Sequence, residues 1–351
     1  MILFFISIFV LVFISFKGVK GYNENYLSFD MTNAIKGIFI LLVFISHANP
    51  YIKQAGYNYE ANGDALYLNI ISYVGQWIVT LFLFYSGYGV MESIKNKGYD
   101  YIASFPQKRI LPLLINFDIA VLLYIIIDLL LGKSIALKQS ILSFIAWDSV
   151  GNSNWYIFVI LICYFLTWVV FSLSKQSSGN AISNSRRFRN TLILAILLLV
   201  AMVVLSYFKG EYWYDTILCY GAGCLFSIKK KEIWEFAKRY YYSILQVLVI
   251  LLCCIPHFPI YAKGLTHNVF NVVFALLIIV ISMKLSVKNR FIMWLGQNLF
   301  PIYIYQRVPM IVLSSICGGV LVKSYPIVFV AISFVVTLLI AKGYKYITVR
   351  I

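Results

Sequence analysis

Long runs of apolar residues, separated by short polar and basic segments, follow one another along the whole chain. Many of these runs approach the roughly 20 residues that an α-helix needs to cross the hydrocarbon core of a bilayer. They are apolar at odd and even positions alike, whereas the strands of a membrane β-barrel alternate apolar and polar residues. The pattern therefore predicts an all-α polytopic membrane protein.

The pattern predicts eleven membrane spans and one shorter helix. The spans cover residues 1–16, 38–52, 66–91, 110–131, 155–174, 191–208, 213–228, 240–260, 267–285, 291–316 and 322–341. Segment 135–147 is shorter and contains Lys138 and Gln139, so we interpret it as an interfacial or re-entrant helix. Residues 175–190 are rich in Ser, Asn and Arg, which is typical of a flexible linker.

The first apolar run has two interpretations. Residues 1–16 have the length of a signal peptide, but no basic residue precedes the apolar stretch. The sequence Ser15-Phe16-Lys17 also lacks the small residues of a cleavage site. We therefore expect residues 1–16 to be a retained helix.

Composition and charge support a membrane location. The chain is 62% hydrophobic and 12% charged, which excludes an ordinary soluble enzyme, a disordered chain and a coiled coil. Its net charge of +16 would suggest a nucleic-acid partner in a soluble protein. If the segment after the first span is cytoplasmic, 22 of the 29 basic residues lie on the cytoplasmic side and seven on the other. The positive-inside rule then explains the charge and predicts an external N-terminus and a cytoplasmic C-terminus, with no nucleic-acid partner.

Lys36 and His47 are ionisable residues associated with the second predicted span. They are eleven residues apart, which on a helix is about 1100°, so they share one face about 16 Å apart. An ionisable group inside a span is a functional candidate. The alternative is a lysine that extends from the helix end to the interface and a histidine that bonds a neighbouring helix.

A second pair of cations begins the fourth predicted span. Lys108 and Arg109 precede Pro112. They are suited to binding phosphates, and equally to anchoring the span to anionic lipid. Ser86, beside Gly87, belongs to a small-residue segment that allows two helices to approach closely.

Two further segments bring polar groups into apolar surroundings. Asn154 and Trp155 follow a cluster of small polar residues, which suits either a sugar site or an aromatic belt at the membrane interface. Tyr303 and Gln306 interrupt an apolar run, which indicates a broken helix that lines a cavity.

No metal, nucleotide or hydrolase motif is present in the sequence. The six cysteines and three histidines lack the paired spacing of a disulfide framework or a zinc site, so we expect no metal. There is no phosphate-binding loop, dinucleotide fingerprint, zincin motif or nucleophile elbow. ATP-driven transport and metalloprotease chemistry therefore have no support.

The spacing Lys36-x10-His47 resembles the Arg/Lys-x10-His signature of the integral-membrane acyltransferase-3 superfamily. Segment 82–87 is similar to the family's Phe-x-x-Ser-Gly element, and Arg109-x-x-Pro112 to its basic-proline element. The resemblance extends over residues 33–341. Two positions depart from the family pattern: Asn33 stands where the family usually has Asp, and Gln306 is near a position where it often has His.

The resemblance implies a ten-helix acyltransferase core plus one extra N-terminal helix. It assigns residues 1–28 to the extra helix and its loop, and residues 29–351 to a single transmembrane acyltransferase domain. Family members transfer an acyl group, most often acetyl, from cytoplasmic acyl-CoA to an extracytoplasmic carbohydrate. The resemblance thus implies acetyl-CoA as co-substrate, a surface polysaccharide or lipid-linked glycan as acceptor, and the bacterial inner membrane as location.

The chemistry of acyl transfer suggests a role for each candidate residue. A neutral imidazole near pH 7 can accept the proton of an attacking sugar hydroxyl, so His47 is the expected general base. Lys36, Lys108 and Arg109 are the expected ligands of the CoA phosphates. The expected substrate contacts are Ser86, Asn154, Trp155, Tyr303 and Gln306. Direct transfer and a brief acyl-His47 intermediate both agree with the sequence.

Two other functions are compatible with a polytopic protein of this kind. One is a transporter or flippase for a lipid-linked sugar, which would work without acetyl-CoA. The other is a polysaccharide polymerase, for which we would expect a large outer loop that contains arginine. The longest predicted outer loop, residues 49–65, has Lys53 as its one basic residue.

Overall fold

A computed structural model describes residues 1–74, 77–175, 179–254, 264–317 and 319–346. In these residues the protein consists of α-helices, short helical turns and two three-residue strands. The prediction of an all-α polytopic membrane fold is confirmed.

The first half of the chain contains eight helices within the described residues. They are α1 (Ile2–Ser15), α2 (Phe29–Gln54), α3 (Ala65–Val74), α4 (Trp77–Ala103), α5 (Leu111–Leu130), α6 (Leu137–Phe144), α7 (Trp155–Leu173) and α8 (Asn184–Phe208). Strand β1 (Phe16–Gly18) follows α1, and a π-helical turn (Pro106–Ile110) leads into α5.

The second half continues with shorter helices. They are α9 (Leu218–Ile228), α10 (Lys230–Arg239), α11 (Tyr241–Cys254), α12 (Leu265–Ser282), α13 (Arg290–Gln297), α14 (Leu299–Tyr305), α15 (Arg307–Ile316), α16 (Val320–Ser324) and α17 (Pro326–Gly343). Strand β2 (Leu285–Val287) lies between α12 and α13. Turns of 3₁₀ helix occupy Glu211–Trp213 and Tyr344–Tyr346.

The number of spans is smaller than predicted. Eight helical segments of the described residues are long and apolar enough to cross a membrane, or nine if α10 and α11, bent by 100°, form one span. Predicted spans 1–16 and 213–228 correspond to α1, with 14 residues, and α9, with 11. Both are shorter than the roughly 20 residues of a full span.

Other predicted boundaries also changed. Predicted span 66–91 falls on two helices, α3 and α4. The short segment 135–147 contains the eight-residue helix α6, as expected. Predicted span 291–316 is divided into α13, α14 and α15, so the broken helix inferred from its polar residues is confirmed.

The two strands define one face of the protein. Strands β1 and β2 pair antiparallel, with Lys17 opposite Ser286. Next to them, the backbone N–H of Val19 donates to the carbonyl of Lys284. We call this side, where α2 begins, the basic face. At the opposite face, where α2 ends, the Asp64 carboxylate accepts hydrogen bonds from the Met1 amine and the Ile2 N–H, both at 2.8 Å.

Helix α2 packs against α13 at two glycines. A Cβ atom on Gly37 would overlap the carbonyl of Ile292, and one on Gly296 would overlap the carbonyl of Asn33. Glycine lets the two backbones approach to this distance, as in other membrane helix pairs. The contact fixes the position of α2, the helix that contains Lys36 and His47.

Helices α4 and α9 show the same kind of contact. A Cβ atom on Gly87 would overlap the carbonyl of Tyr220, and one on Gly223 would overlap the carbonyl of Phe84. The Cys224 thiol also donates to the carbonyl of Gly87 at 3.3 Å. Helix α9 therefore directs its small residues to α4, which accounts for the small residues near Ser86.

The predicted linker 175–190 is partly ordered by helix α4. The Asn180 side-chain oxygen accepts from the Asp100 N–H at 2.8 Å, and its carbonyl accepts from the Tyr99 N–H at 3.0 Å. Gly98 adopts a positive φ of 58° at this contact. From residue 184 onward the segment is helical. The expectation of a flexible linker is thus wrong for Asn180, which is bonded to α4, and for the helical residues 184–190, while residues 176–178 lie outside the described part of the chain.

We predict that Gly87→Ala destabilises the fold. The added methyl group meets a backbone carbonyl, and overpacking of this kind typically costs about 1–3 kcal/mol. Gly89→Ala on the same helix is the matched control, because its Cβ would have nothing within 4 Å. Thermal unfolding of the detergent-purified variants should give a lower Tm for Gly87→Ala alone. Equal Tm values would contradict the packing argument.

The orientation is tested by cysteine labelling. We expect Ser185→Cys, an exposed position at the start of α8, to resist an impermeant thiol reagent in intact cells, because the basic face should be cytoplasmic. Ser324→Cys, exposed at the opposite face, should react and serves as the control. Both variants need Ser at Cys253 and Cys254, which are exposed, and at Cys317, which is partly exposed. The reverse pattern would invert the orientation.

Candidate functional site

A cavity of about 400 Å³ lies near the basic face, between α2, α4, α7 and the start of α5. We call it the basic cavity. Four predicted site residues line it: Lys36, Ser86, Lys108 and Arg109. Aromatic and apolar side chains complete the wall, among them Tyr85, Tyr156, Tyr164, Leu299 and Phe300.

A second cavity of about 700 Å³ adjoins the first and shares Lys108 and Arg109 with it. We call it the vestibule. Its other walls come from the end of α4, with Lys97, Asp100 and Tyr101, and from Asn180. The segment predicted as a free linker thus forms part of a cavity wall.

Arg109 stands at the junction of the two cavities. Its Nε donates to the Tyr101 hydroxyl at 3.0 Å. The π-helical turn that contains Lys108 and Arg109 is closed by a hydrogen bond from the Leu111 N–H to the Pro106 carbonyl. Such turns occur frequently at functional sites, since the extra residue redirects side chains.

The cations of the basic cavity have no acidic partner in the described part of the chain. No described carboxylate lies within 4 Å of Lys36, Lys108 or Arg109. A cation at membrane depth is costly unless an anion or a polar group compensates its charge. The basic cavity is therefore suited to an anionic ligand.

His47 lies on α2, three turns beyond Lys36 in the direction of the opposite face. Its Nδ1 is 3.3 Å from the Ser153 hydroxyl, and its ring centroid is 6.0 Å from that of Tyr303. The imidazole is half-buried. His47 is not among the residues that line the basic cavity.

Two tyrosines separate the basic cavity from His47. Tyr156 lines the cavity, and its ring centroid is 5.3 Å from that of Tyr303. Tyr303 in turn packs against the imidazole of His47. A ligand that extends from the basic cavity to His47 must pass between or displace these rings.

A cavity of about 610 Å³ lies on the other side of His47, at the opposite face. We call it the opposite cavity. Tyr51, one turn beyond His47 on α2, lines it together with Gln54, Gly151 and Lys323. Ser314 and Ser315 of α15 add hydroxyl groups. His47 lines neither cavity. On α2 it lies between Lys36, in the wall of the basic cavity, and Tyr51, in the wall of the opposite cavity.

The predicted substrate residues do not lie together but in different parts of the structure. The Ser86 hydroxyl bonds that of Tyr164 at 2.8 Å, in the basic cavity. The Asn154 amide donates to the carbonyls of Ala146 and Asp148, so it holds the preceding loop together. The ring of Trp155 packs against those of its neighbours Tyr156 and Tyr212.

Tyr303 and Gln306 are both buried, and Tyr303 lies beside His47. The Gln306 side-chain amide donates to the Tyr303 carbonyl at 2.9 Å. The structure thus brings Lys36, Ser86, Lys108 and Arg109 together, with Tyr303 beside His47. The functional assignments of all these residues stay predictions.

Four residues near His47 were not selected from the sequence. They are Asn152, Ser153, Tyr156 and Arg307. A signal was present in the small polar run 151–154 and in Arg307, a cation within an apolar segment. These residues come close to His47 only through long-range contacts, since Ser153 and His47 are 106 residues apart in the chain.

The fold and the cavities define a polytopic membrane protein with a cation-lined cavity near the basic face. A histidine lies further along α2, towards the opposite face. A family model described as an acyltransferase domain, Acyl_transf_3, matches residues 32–342 of the 351. The chain belongs to this acyltransferase-3 family, as the motifs indicated, and is a membrane acyltransferase. No curated protein and no solved structure matches the chain.

Proposed function

We propose that the protein transfers an acetyl group from cytoplasmic acetyl-CoA to a hydroxyl of an extracytoplasmic polysaccharide or lipid-linked glycan. The main support is the position of His47 between a cation-lined cavity at the basic face and a polar cavity at the opposite face. Membership of an acyltransferase family favours this function over a transporter, flippase or polymerase. The membrane is proposed to be a bacterial inner membrane, with the N-terminus outside.

The basic cavity and the vestibule fit the donor. CoA is an elongated molecule with several phosphates, and the two cavities are joined at Arg109. Charge-assisted hydrogen bonds from guanidinium and ammonium groups are strong phosphate contacts. Lys36, Lys108 and Arg109 would supply them, while Ser86 and Tyr164 lie deeper in the same cavity.

The opposite cavity fits a sugar acceptor. It combines the aromatic ring of Tyr51 with the amide of Gln54 and the hydroxyls of Ser314 and Ser315. Sugar rings pack on aromatic faces, and their hydroxyls need hydrogen-bonding partners. Tyr51 of this cavity is one turn from His47 on α2, so an acceptor bound here would have to extend one helical turn to bring a hydroxyl to the imidazole.

The contact with Ser153 suits His47 to act as the base. When the Ser153 hydroxyl accepts from Nδ1–H, the lone pair of Nε2 is free to take a proton. The hydroxyl oxygen then forms a bond to the acyl carbon, and the carbon–sulfur bond breaks. The CoA thiolate leaves, and the hydroxyl proton resides on His47.

The proposed reaction is tested with purified protein, radiolabelled acetyl-CoA and membrane glycan. We expect base-labile ester label on the glycan. Label that stays wholly on CoA or appears as free acetate would contradict acetyl transfer to a glycan. Sugar movement without acetyl-CoA would instead support a transporter.

We predict that Arg109→Ala weakens acetyl-CoA binding. One charge-assisted contact is worth on the order of 1.5–3 kcal/mol, so the Kd should rise by about 10- to 150-fold. Turnover at saturating donor should change less. Lys175→Ala removes an exposed cation near the basic face that lines neither cavity, and is the matched control. An unchanged Kd would make Arg109 a lipid anchor. Lys36→Arg should retain more binding than Lys36→Ala.

We predict that His47→Gln and His47→Ala insert and fold but lose most acetyl transfer. Glutamine retains a hydrogen-bonding group of similar size and cannot accept a proton at neutral pH. General-base assistance typically supplies ~10²–10⁴-fold in rate, and turnover should fall by that factor. Binding of acetyl-CoA, measured by calorimetry, should be preserved in both variants. More than about a tenth of parental turnover in His47→Gln would contradict the base role.

A further inference from the structure

Three hydrogen-bond donors near His47 have no partner in the structure. They are the Asn152 side-chain amide nitrogen, the Tyr303 hydroxyl and the Arg307 Nε, each of them buried. A buried donor without an acceptor is costly, most of all at membrane depth. A nearby fourth atom, the side-chain oxygen of Gln306, is an acceptor and is also unpartnered.

The surrounding contacts hold these donors in place. The Asn152 side-chain oxygen accepts from the Val150 N–H at 3.0 Å and the Ser149 hydroxyl at 3.1 Å, so its NH₂ group is left for another partner. Arg307 Nη1 is 3.5 Å from the Asn152 carbonyl, and its guanidinium lies 5.8 Å from the Tyr51 ring centroid. The two residues are therefore neighbours beside α2.

The same contacts connect the donors to His47. Asn152 precedes Ser153, whose hydroxyl contacts the imidazole. Tyr303, whose ring packs on His47, is one helical turn before Arg307 in the chain. No described carboxylate lies within 4 Å of Arg307, so its charge has no counter-ion in the described residues.

We propose that Arg307 and Asn152 bind the carbonyl oxygen of the acyl group and stabilise the negative charge that develops on it during transfer. The inference rests on the proposed function. As the acceptor oxygen bonds to the acyl carbon and its proton passes to His47, the carbonyl oxygen becomes an oxyanion. Collapse of the oxyanion breaks the carbon–sulfur bond and releases the CoA thiolate. Donors that are fixed before the reaction stabilise such charge at little reorganisation cost.

The first test measures binding without turnover. Acetyl-dethia-CoA is a ketone in which methylene replaces the thioester sulfur, and S-ethyl-CoA has methylene in place of the carbonyl. The parent should bind the ketone more tightly, by about tenfold, because only the ketone offers an acceptor to Arg307 and Asn152. Arg307→Gln and Asn152→Asp should abolish this preference. Equal preference in parent and variants would overturn the proposal.

The second test measures kcat and the KM for glycan. Arg307→Gln should lower kcat by ~10²–10³-fold with little change in KM, the size seen when one oxyanion donor is removed. A rise in KM with recovery of kcat at saturating glycan would overturn the proposal and make Arg307 an acceptor contact. Lys53→Gln, an exposed position at the end of α2, should match the parent.

Two variants guard against misfolding. Asn152→Asp preserves the oxygen that accepts from Val150 and Ser149, and Arg307→Lys preserves the charge beside Tyr51. A lower Tm with an unchanged ketone preference in Asn152→Asp and Arg307→Gln would show a structural role and overturn the proposal, whereas Arg307→Lys should retain part of the preference. A parent protein that transfers no acetyl group would remove the proposed function as well. If the parent transfers acetyl groups and the Arg307 and Asn152 variants match it in kcat and ketone preference, this inference alone would be overturned.

Discussion

The close contact between α2 and α13 determines much of the site. Because Gly37 and Gly296 lack side chains, the backbones of α2 and α13 meet at the Ile292 and Asn33 carbonyls. Helix α13 then ends at Gln297, and the chain continues after Asn298 as α14. This break brings Leu299 and Phe300 to the basic cavity and Tyr303 to His47. A continuous helix over residues 291–316 would place these side chains along one straight cylinder.

The cations of the site differ from several other charged groups of the protein, which form ion pairs. Glu92 contacts Lys95 at 2.7 Å, and Asp128 contacts Lys133 at 2.7 Å. Near the cavities, Lys36, Arg109 and Arg307 have no carboxylate partner among the described residues. Because an unpaired charge is costly in a bilayer, a ligand that supplies the missing negative charge would explain why these cations lie there.

The sequence identified polar and ionisable residues, whose presence in an apolar run is energetically costly. It did not identify residues whose positions in the site depend on tertiary contacts. Lys36, Ser86 and Arg109 were selected from local spacing, and the structure places them around one cavity. Spans 1–16 and 213–228 were counted from apolarity, but their helices have 14 and 11 residues and are too short for a full span. Ser153 and Arg307 gain their positions from contacts across more than 100 residues, which local periodicity does not encode.

Any site that is open to both faces of a membrane needs a barrier against ions and water. The two tyrosines between the cavities lie where such a barrier would be. A continuous aqueous path would leak ions, and water from the opposite cavity would compete with a glycan hydroxyl for the acyl group. Tyr156 and Tyr303, stacked edge to face at 5.3 Å, place apolar rings across that path next to His47. Excluding water in this way also strengthens electrostatic interactions inside the site. The wall that separates donor from acceptor is thus part of the environment in which Arg307 and His47 would act.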